Sequence, residues 1–151
     1  MNLPAVHLSV RVDVEAPPET VFAAVTDWER QKEWMLGTTV RIRHGDGRSV
    51  GSEVEAVTGL CGVGINDRMR IVQWNAPSRC EVRHLGRVVR GTGIFAVQPR
   101  GRGATLEWTE QLELPLGVLG KLGWPLVRPI FEWGLQRSLD RFAGFCRDYP
   151  R

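Results

Sequence analysis

The feature of this chain that most restricts its fold is a change of period. From Thr38 to Leu114 apolar and polar residues alternate in short runs separated by turn residues. Beyond Pro115 the apolar positions Leu126, Val127, Ile130, Phe131, Leu135, Leu139, Phe142, Phe145 and Cys146 recur every three or four residues. A two-residue period marks a strand with one buried face, and a period of three to four marks an amphipathic helix. One long terminal helix must therefore bury its apolar stripe against an antiparallel sheet. At 151 residues, 42% of them hydrophobic and 25% charged, the chain is expected to form one globular domain over residues 1–151.

The first strand is read from Val6, Leu8, Val10, Val12 and Val14, which alternate with His7, Ser9, Arg11 and Asp13. It stops at Pro17-Pro18. Val21, Phe22 and Val25 then share the stripe of a short helix over 19–26, with the prolines at its start, where their missing amide hydrogens cost nothing. Residues 29–34 predict a second short helix, held by Trp28 and Trp34. Six more strands are expected at 39–44, 50–59, 63–74, 79–86, 90–98 and 104–114, separated by Gly45-Asp46-Gly47, Gly59 to Gly62, Asn75-Ala76-Pro77 and Pro99 to Gly103. Pro125 and Pro129 are expected in the first turns of the terminal helix, because a proline further inside removes a hydrogen bond. Leu116 to Trp124 then forms an approach segment. The predicted class is α+β: a seven-stranded, curved antiparallel sheet wrapped around the long C-terminal helix, with two short helices after strand one. Such a sheet curls away from a single helix and leaves room for a small molecule.

Charge and cysteine usage narrow the partners. Twenty Lys and Arg against 17 Asp and Glu leave a formal charge of +3. The basic residues are spread along strands and turns, as in Arg41/Arg43/Arg48 and Arg83/Arg87/Arg90, which does not favour nucleic acid. Three cysteines cannot all pair, so a reducing, cytoplasmic setting is expected. Residues 1–15 lack the pattern of a secretory leader, and Leu112 to Val127 is too interrupted to span a bilayer. His7, His44 and His84 lie about forty residues apart, and no Cys-x-x-Cys pair exists, so neither a metal nor another cofactor is expected. No nucleophile elbow and no phosphate-cradling glycine loop is present.

Several fragments, taken in order, resemble a known superfamily. They are Ala-Pro-Pro-Glu-Thr-Val-Phe at 16–22, Thr-Asp-Trp at 26–28 with Trp34, the Trp-Asn-Ala-Pro turn at 74–77, the turn and strand from Gly101 to Glu107, and Leu-Pro-Leu-Gly at 114–117 before the terminal helix. The chain is similar to the START-like, helix-grip (SRPBCC) superfamily, in its bacterial polyketide cyclase/dehydrase and lipid-transport branch. The resemblance covers nearly the whole chain and is carried by the order and spacing of the fragments. It implies a hydrophobic cavity between sheet and helix that holds lipids, polyketides, sterols or other apolar molecules. The superfamily has no universal catalytic motif, so it assigns no active-site residue here.

Strand alternation supplies the candidates, since a polar residue in phase with apolar ones points inward. Glu110 shares the phase of Ala104, Leu106, Trp108, Leu112 and Leu114. Asp67 shares that of Val63, Ile65, Met69 and Ile71, and His84 that of Cys80 and Val82. Buried together, such groups suit proton transfer or the anchoring of a ligand hydroxyl. Against this stand a bulge that turns Glu110 to solvent or a purely structural pairing of it, ordinary turn or bulge chemistry at Asn66-Asp67, and an exposed or structurally satisfied His84 close to a strand end. Trp108 offers a ring for stacking and Thr92 a hydroxyl, and Leu106, Met69, Phe131 and Leu135 complete the expected ligand contacts. Trp28 and Trp34 are expected to pin the short helices and Trp74 the sheet edge. Trp124 and Trp133, with Leu116, Val118, Leu119, Lys121 and Arg128, suit either packing of the terminal helix or a partly basic gate in transient contact with a membrane. Cys61, among glycines, reads as a small loop residue rather than a reactive thiol.

Three functions fit these residues. The first is a non-catalytic protein that binds a lipid, fatty acyl or polyketide-like molecule. The second is an aromatase/cyclase- or dehydratase-like enzyme using Glu110 with His84 or Asp67. The third is a regulatory or stress-related interaction module without a ligand. The oligomeric state is not legible in the sequence.

Overall fold

The computed structural model describes residues 5–60, 63–87, 89–114 and 118–150. The expectations for Cys61 and Leu116, and for the side chains of Val118 and Leu119, lie outside this description. The elements run β1 (Ala5–Val14), α1 (Pro18–Val25), a 3-10 helix (Trp28–Glu33), β2 (Thr38–His44), β3 (Glu53–Leu60), β4 (Val63–Asn75), β5 (Arg79–Leu85), β6 (Arg90–Arg100), β7 (Gly103–Glu113) and α2 (Val118–Arg147). The strands form one curved antiparallel sheet in the order β1-β7-β6-β5-β4-β3-β2. The class is thus the α+β arrangement, a curved antiparallel sheet with a long C-terminal helix, expected from the change of period.

The two helical segments after β1 explain the strand order. Pro17 ends β1, Pro18 opens α1, and the chain crosses to the far edge of the sheet before β2 begins. From β2 each strand pairs with the next, until β7 closes on β1 in an unbroken register from Ala5↔Glu113 to Val14↔Ala104. The inner face carries the apolar phase of the strands, with Leu8, Val14, Val54, Ile71, Cys80 and Leu106 almost fully buried. The second half of α2 lies against this face through Leu135, Leu139, Phe142 and Cys146. Trp34 is fully enclosed and meets Phe142 and Trp108 edge-on, with ring centroids 5.0 and 6.3 Å away. Trp28 donates its indole N–H to the Gly47 carbonyl at 2.8 Å, which ties the 3-10 helix to the turn after β2. Trp74 packs edge-on against Phe22 of α1 at 5.0 Å.

Three expectations change. Helix α2 begins at Val118, so residues 118–124 are helical rather than an approach segment, and Pro125 and Pro129 lie inside the helix. The carbonyls left without a helical partner belong to Lys121 and Pro125, both exposed residues, where the loss costs least. Strand β3 starts at Glu53 rather than at residue 50, because Ser49 to Ser52 form a turn closed by the Ser52 amide on the Ser49 carbonyl at 3.1 Å. The second short helix is a 3-10 segment, whose Gln31 donates a side-chain hydrogen bond back to the Val25 carbonyl at 2.8 Å.

The basic residues of the outer face are largely paired. Arg41 and Arg43 reach Glu55 at 2.9 and 3.6 Å, Arg68 and Arg70 reach Glu53 at 3.3 and 3.7 Å, and Arg90 reaches Glu113 at 3.3 Å. Among the described residues no helix is long and apolar enough to cross a membrane.

Candidate functional site

Strands β4, β5 and β7 send Asp67, His84 and Glu110 to the inner face, and the three meet. His84 Nδ1 lies 2.9 Å from Asp67 Oδ1, and His84 Nε2 lies 2.9 Å from Glu110 Oε2. Trp108 donates its indole N–H to the other oxygen of Glu110, Oε1, at 2.9 Å. His84 is only 7% exposed.

The strand order makes this meeting difficult, because β6 lies between β5 and β7 and so separates His84 from Glu110 by two strand spacings, roughly 9–10 Å. The inward positions of β6 in this region are glycines. Gly91 pairs with His84 on one side and Leu112 on the other, and Gly93 pairs with Val82 and Glu110. With no side chains there, the imidazole and the carboxylate meet over bare backbone. A Cβ on Gly93 would lie 3.0 Å from Glu110 Oε1, and one on Gly91, where φ is +114°, would overlap the Gln111 carbonyl. These two glycines make room for the cluster, and strand alternation does not flag them. A Gly-x-Gly near the start of a strand is the available signal, since it marks a close approach.

The cluster stands at one side of a pocket of about 370 Å³ between the sheet and α2, within the size range of small-molecule sites. Met69, Trp108, Phe131 and Leu135 line it, as the strand and helix phases imply, and so do Asp67, His84 and Glu110. Trp28, Phe95 and Ile130 line it as well. Two expected contacts fall elsewhere. Leu106 is fully buried in the core and does not reach the pocket. Thr92 pairs with Arg83 and Gln111 on the outer phase of β6, where its hydroxyl approaches Gln111 at 3.4 Å. It is out of phase with the inward glycines by one residue. The bulge and turn alternatives for Glu110 and Asp67 do not apply, since the register is continuous through both.

Burial alone lowers the basicity of the His84 imidazole, but the hydrogen bonds to Asp67 and Glu110 outweigh it and push its pKa up to about 10. Both ring nitrogens then act as donors, and no lone pair remains for a metal or for an incoming proton. Among the described residues no cluster fits a metal ion. Cys80, also in the pocket wall, is an inert thiol: burial, with a smaller contribution from Glu81, pushes its pKa up to about 12. At the mouth, Trp124 lies against Phe131 with ring centroids 6.0 Å apart, while Trp133 is 64% exposed on the outside of α2.

An antiparallel sheet closed by a terminal helix over a pocket is the helix-grip arrangement. The sequence model of the polyketide cyclase/dehydrase and lipid transport family matches residues 5–144, and the chain belongs to that family. Among curated proteins none matches significantly by sequence. Solved structures share the fold at low identity. TTHA0849 from Thermus thermophilus is similar with a TM-score of 0.77 at 18% identity, over 95% of this chain and 97% of that one. The ZhuI aromatase/cyclase from Streptomyces sp. R1128 is similar with a TM-score of 0.76 at 16% identity, over 95% and 94%. The di-domain ARO/CYC StfQ of the steffimycin biosynthetic pathway is similar with a TM-score of 0.74 at 13% identity, over 95% of this chain and 51% of that one.

Proposed function

We propose that this chain, acting as one ligand-binding domain over residues 1–151, holds an apolar or amphipathic small molecule between the sheet and α2. The lipid, fatty acyl and polyketide-like classes all fit this description. The observation that carries the reading is the pocket of about 370 Å³, whose wall is mostly apolar and whose charged groups are confined to one cluster. Membership of a family named for polyketide chemistry and lipid transport supports it. A regulatory role without a ligand calls for an interior filled by side chains, which the pocket argues against. Protein stripped of bound molecules and mixed with a panel of lipids and aromatic polyketides should bind some of them, as read by native mass spectrometry and tryptophan quenching. Complete absence of binding across the panel refutes the reading.

A second reading, an aromatase/cyclase- or dehydratase-like enzyme, is favoured by the convergence of Asp67, His84 and Glu110 at one point of the pocket. The protonation of His84 argues against it. A general base works best with a pKa near the operating pH and a lone pair facing the substrate, and this imidazole has neither. Binding is preferred because it requires only the pocket, whereas the enzyme reading requires Glu110 or Asp67, rather than His84, to move the proton. Turnover of a poly-β-ketone analogue that is abolished in Glu110→Gln would reverse that preference.

The exposed side of α2 suits ligand exchange at a membrane surface. Leu122, Leu126, Ile130 and Trp133 are exposed along it, near Lys121 and near Arg128, which pairs with Glu132 at 2.7 Å. Transient contact there, in a cytoplasmic protein, is part of the proposal.

A further inference from the structure

We infer that the ligand carries a cationic or hydrogen-bond-donating end, an ammonium in preference to a hydroxyl and both in preference to a carboxylate, and that the Asp67–His84–Glu110 cluster receives this end. The inference rests on the pocket being a binding site and names the chemical class it selects.

The ground is a count of protons. Each of the two N···O contacts of His84 is 2.9 Å long, and at that separation each needs a hydrogen between the heavy atoms, because two facing lone pairs repel. Two protons are therefore shared by one imidazole and two carboxyl groups. They form either an imidazolium with two carboxylates, or a neutral imidazole with one carboxylic acid and one carboxylate. Both arrangements sum to one net negative charge. The placement of the protons does not alter the total.

Nothing in the pocket wall offsets that charge. No lysine or arginine lines the pocket among the described residues. Arg68 and Arg70 lie on the opposite face of β4, engaged with Glu53. An anionic cluster at the end of a mostly apolar hollow has lost much of its hydration, so a cation brought beside it restores what burial removed, whereas a carboxylate adds a like charge.

The hydrogen-bond inventory agrees. The N–H groups at this end of the pocket belong to His84 and Trp108, and all are committed to Asp67 and Glu110. Of the other polar side chains in the wall, Gln31 donates to the Val25 carbonyl, Thr38 meets Thr58, and Ser138 bridges the Gly134 carbonyl and the Leu36 amide. Among these side chains a ligand carboxylate thus finds only the second amide hydrogen of Gln31, a single neutral donor and no cation. A ligand donor finds an acceptor: Asp67 uses only Oδ1 toward His84, and Oδ2 has no hydrogen-bond partner among the described residues. The formal charge of the whole chain, +3, favours anions at long range. A preference for ammonium would therefore have to arise inside the pocket.

The test compares probes that share one alkyl chain and differ at the end: dodecylammonium, dodecanol and dodecanoate. Each is titrated below its micellar concentration into the delipidated full-length protein at about pH 7, with affinity read by displacement of a pocket-bound fluorophore. Dodecylammonium is expected to bind at least about tenfold tighter than dodecanoate, with dodecanol between them. In Asp67→Asn, and separately in Glu110→Gln, the ratio of ammonium to carboxylate affinity should fall to within about threefold. The wild-type ratio is decisive even if one variant does not fold. Equal or tighter binding of dodecanoate by the wild type overturns the inference while leaving the pocket a binding site. An ammonium preference that survives both substitutions also overturns it, since the selectivity then originates elsewhere. Failure of all three probes to bind overturns this inference, and refutes the proposed function as well only when the lipid and polyketide panel also fails to bind.

Discussion

His84 should make this protein lose stability as the solution turns mildly alkaline. In the unfolded chain an imidazole titrates near ~6.5, whereas between Asp67 and Glu110 its pKa is about 10. A folded-state value above the unfolded one means that the contribution is fully present below about pH 6.5 and disappears as the pH rises through about 10. Between those limits the native state keeps a proton that the unfolded chain has released. Stability then falls by about 1.4 kcal/mol per pH unit, or roughly 2–3 kcal/mol between about pH 7 and about pH 9. At an m-value of about 2 kcal/mol/M this lowers the urea midpoint by about 1 M. Below about pH 8.5 the window isolates His84. His7 and His44 are not buried, and the raised Cys80 thiol and Tyr149 hydroxyl affect stability only above their unfolded values, near ~8.5 and ~10.

The assay is urea denaturation of the wild type and of His84→Gln across this pH range, with the wild-type imidazole followed by nitrogen-detected NMR. The wild-type midpoint should slope downward, and the variant should be flatter, whatever its absolute stability. Both ring nitrogens should carry protons at about pH 7. A flat wild-type profile, or an equal slope in the variant below about pH 8.5, would falsify the account of an imidazolium held by two carboxylates, because the Cys80 thiol adds its own loss only above that pH.

Further consequences are independent of that measurement. Gly93→Val places a side chain where Glu110 Oε1 would lie 3.0 Å from its Cβ, so the carboxylate must move and the His84 pKa should fall toward its unfolded value by NMR titration; an unchanged titration contradicts the glycine-gap argument. Leu139→Ala empties a fully buried position that does not line the pocket. It should cost about 3 kcal/mol and lower Tm by roughly 10 °C in calorimetry, with probe affinity unchanged. Cys80 should resist a thiol reagent in the native state and react on unfolding, since its sulfur is buried and its pKa raised; rapid native labelling would show that the pocket wall opens.

Much of the architecture follows from local pattern, because a strand or an amphipathic helix declares itself through the spacing of its own apolar residues. The alternation at Val6 to Val14, the prolines at 17 and 18, the Asn-Ala-Pro turn and the three- to four-residue period from Leu135 to Cys146 all specify elements that the structure contains. The same alternation puts Asp67, His84 and Glu110 on the inner face, since side-chain direction is a property of each strand alone. Local pattern carried less where solvent decides. Helix α2 continues back through two prolines because its early turns are exposed, and hydrophobicity alone does not distinguish Leu126 at 80% exposure from Leu139 at none.

The sequence by itself determined which residues face inward, and tertiary structure alone decided which of them touch. Asp67, His84 and Glu110 lie on three strands, and their contact depends on the β5-β6-β7 order and on the register that sets Gly91 and Gly93 between them. Their union as one hydrogen-bonded cluster of net negative charge is a relation among distant parts of the chain. No periodicity within a single strand encodes it, because hydrogen bonding acts over about 3 Å of space and takes no account of separation along the chain.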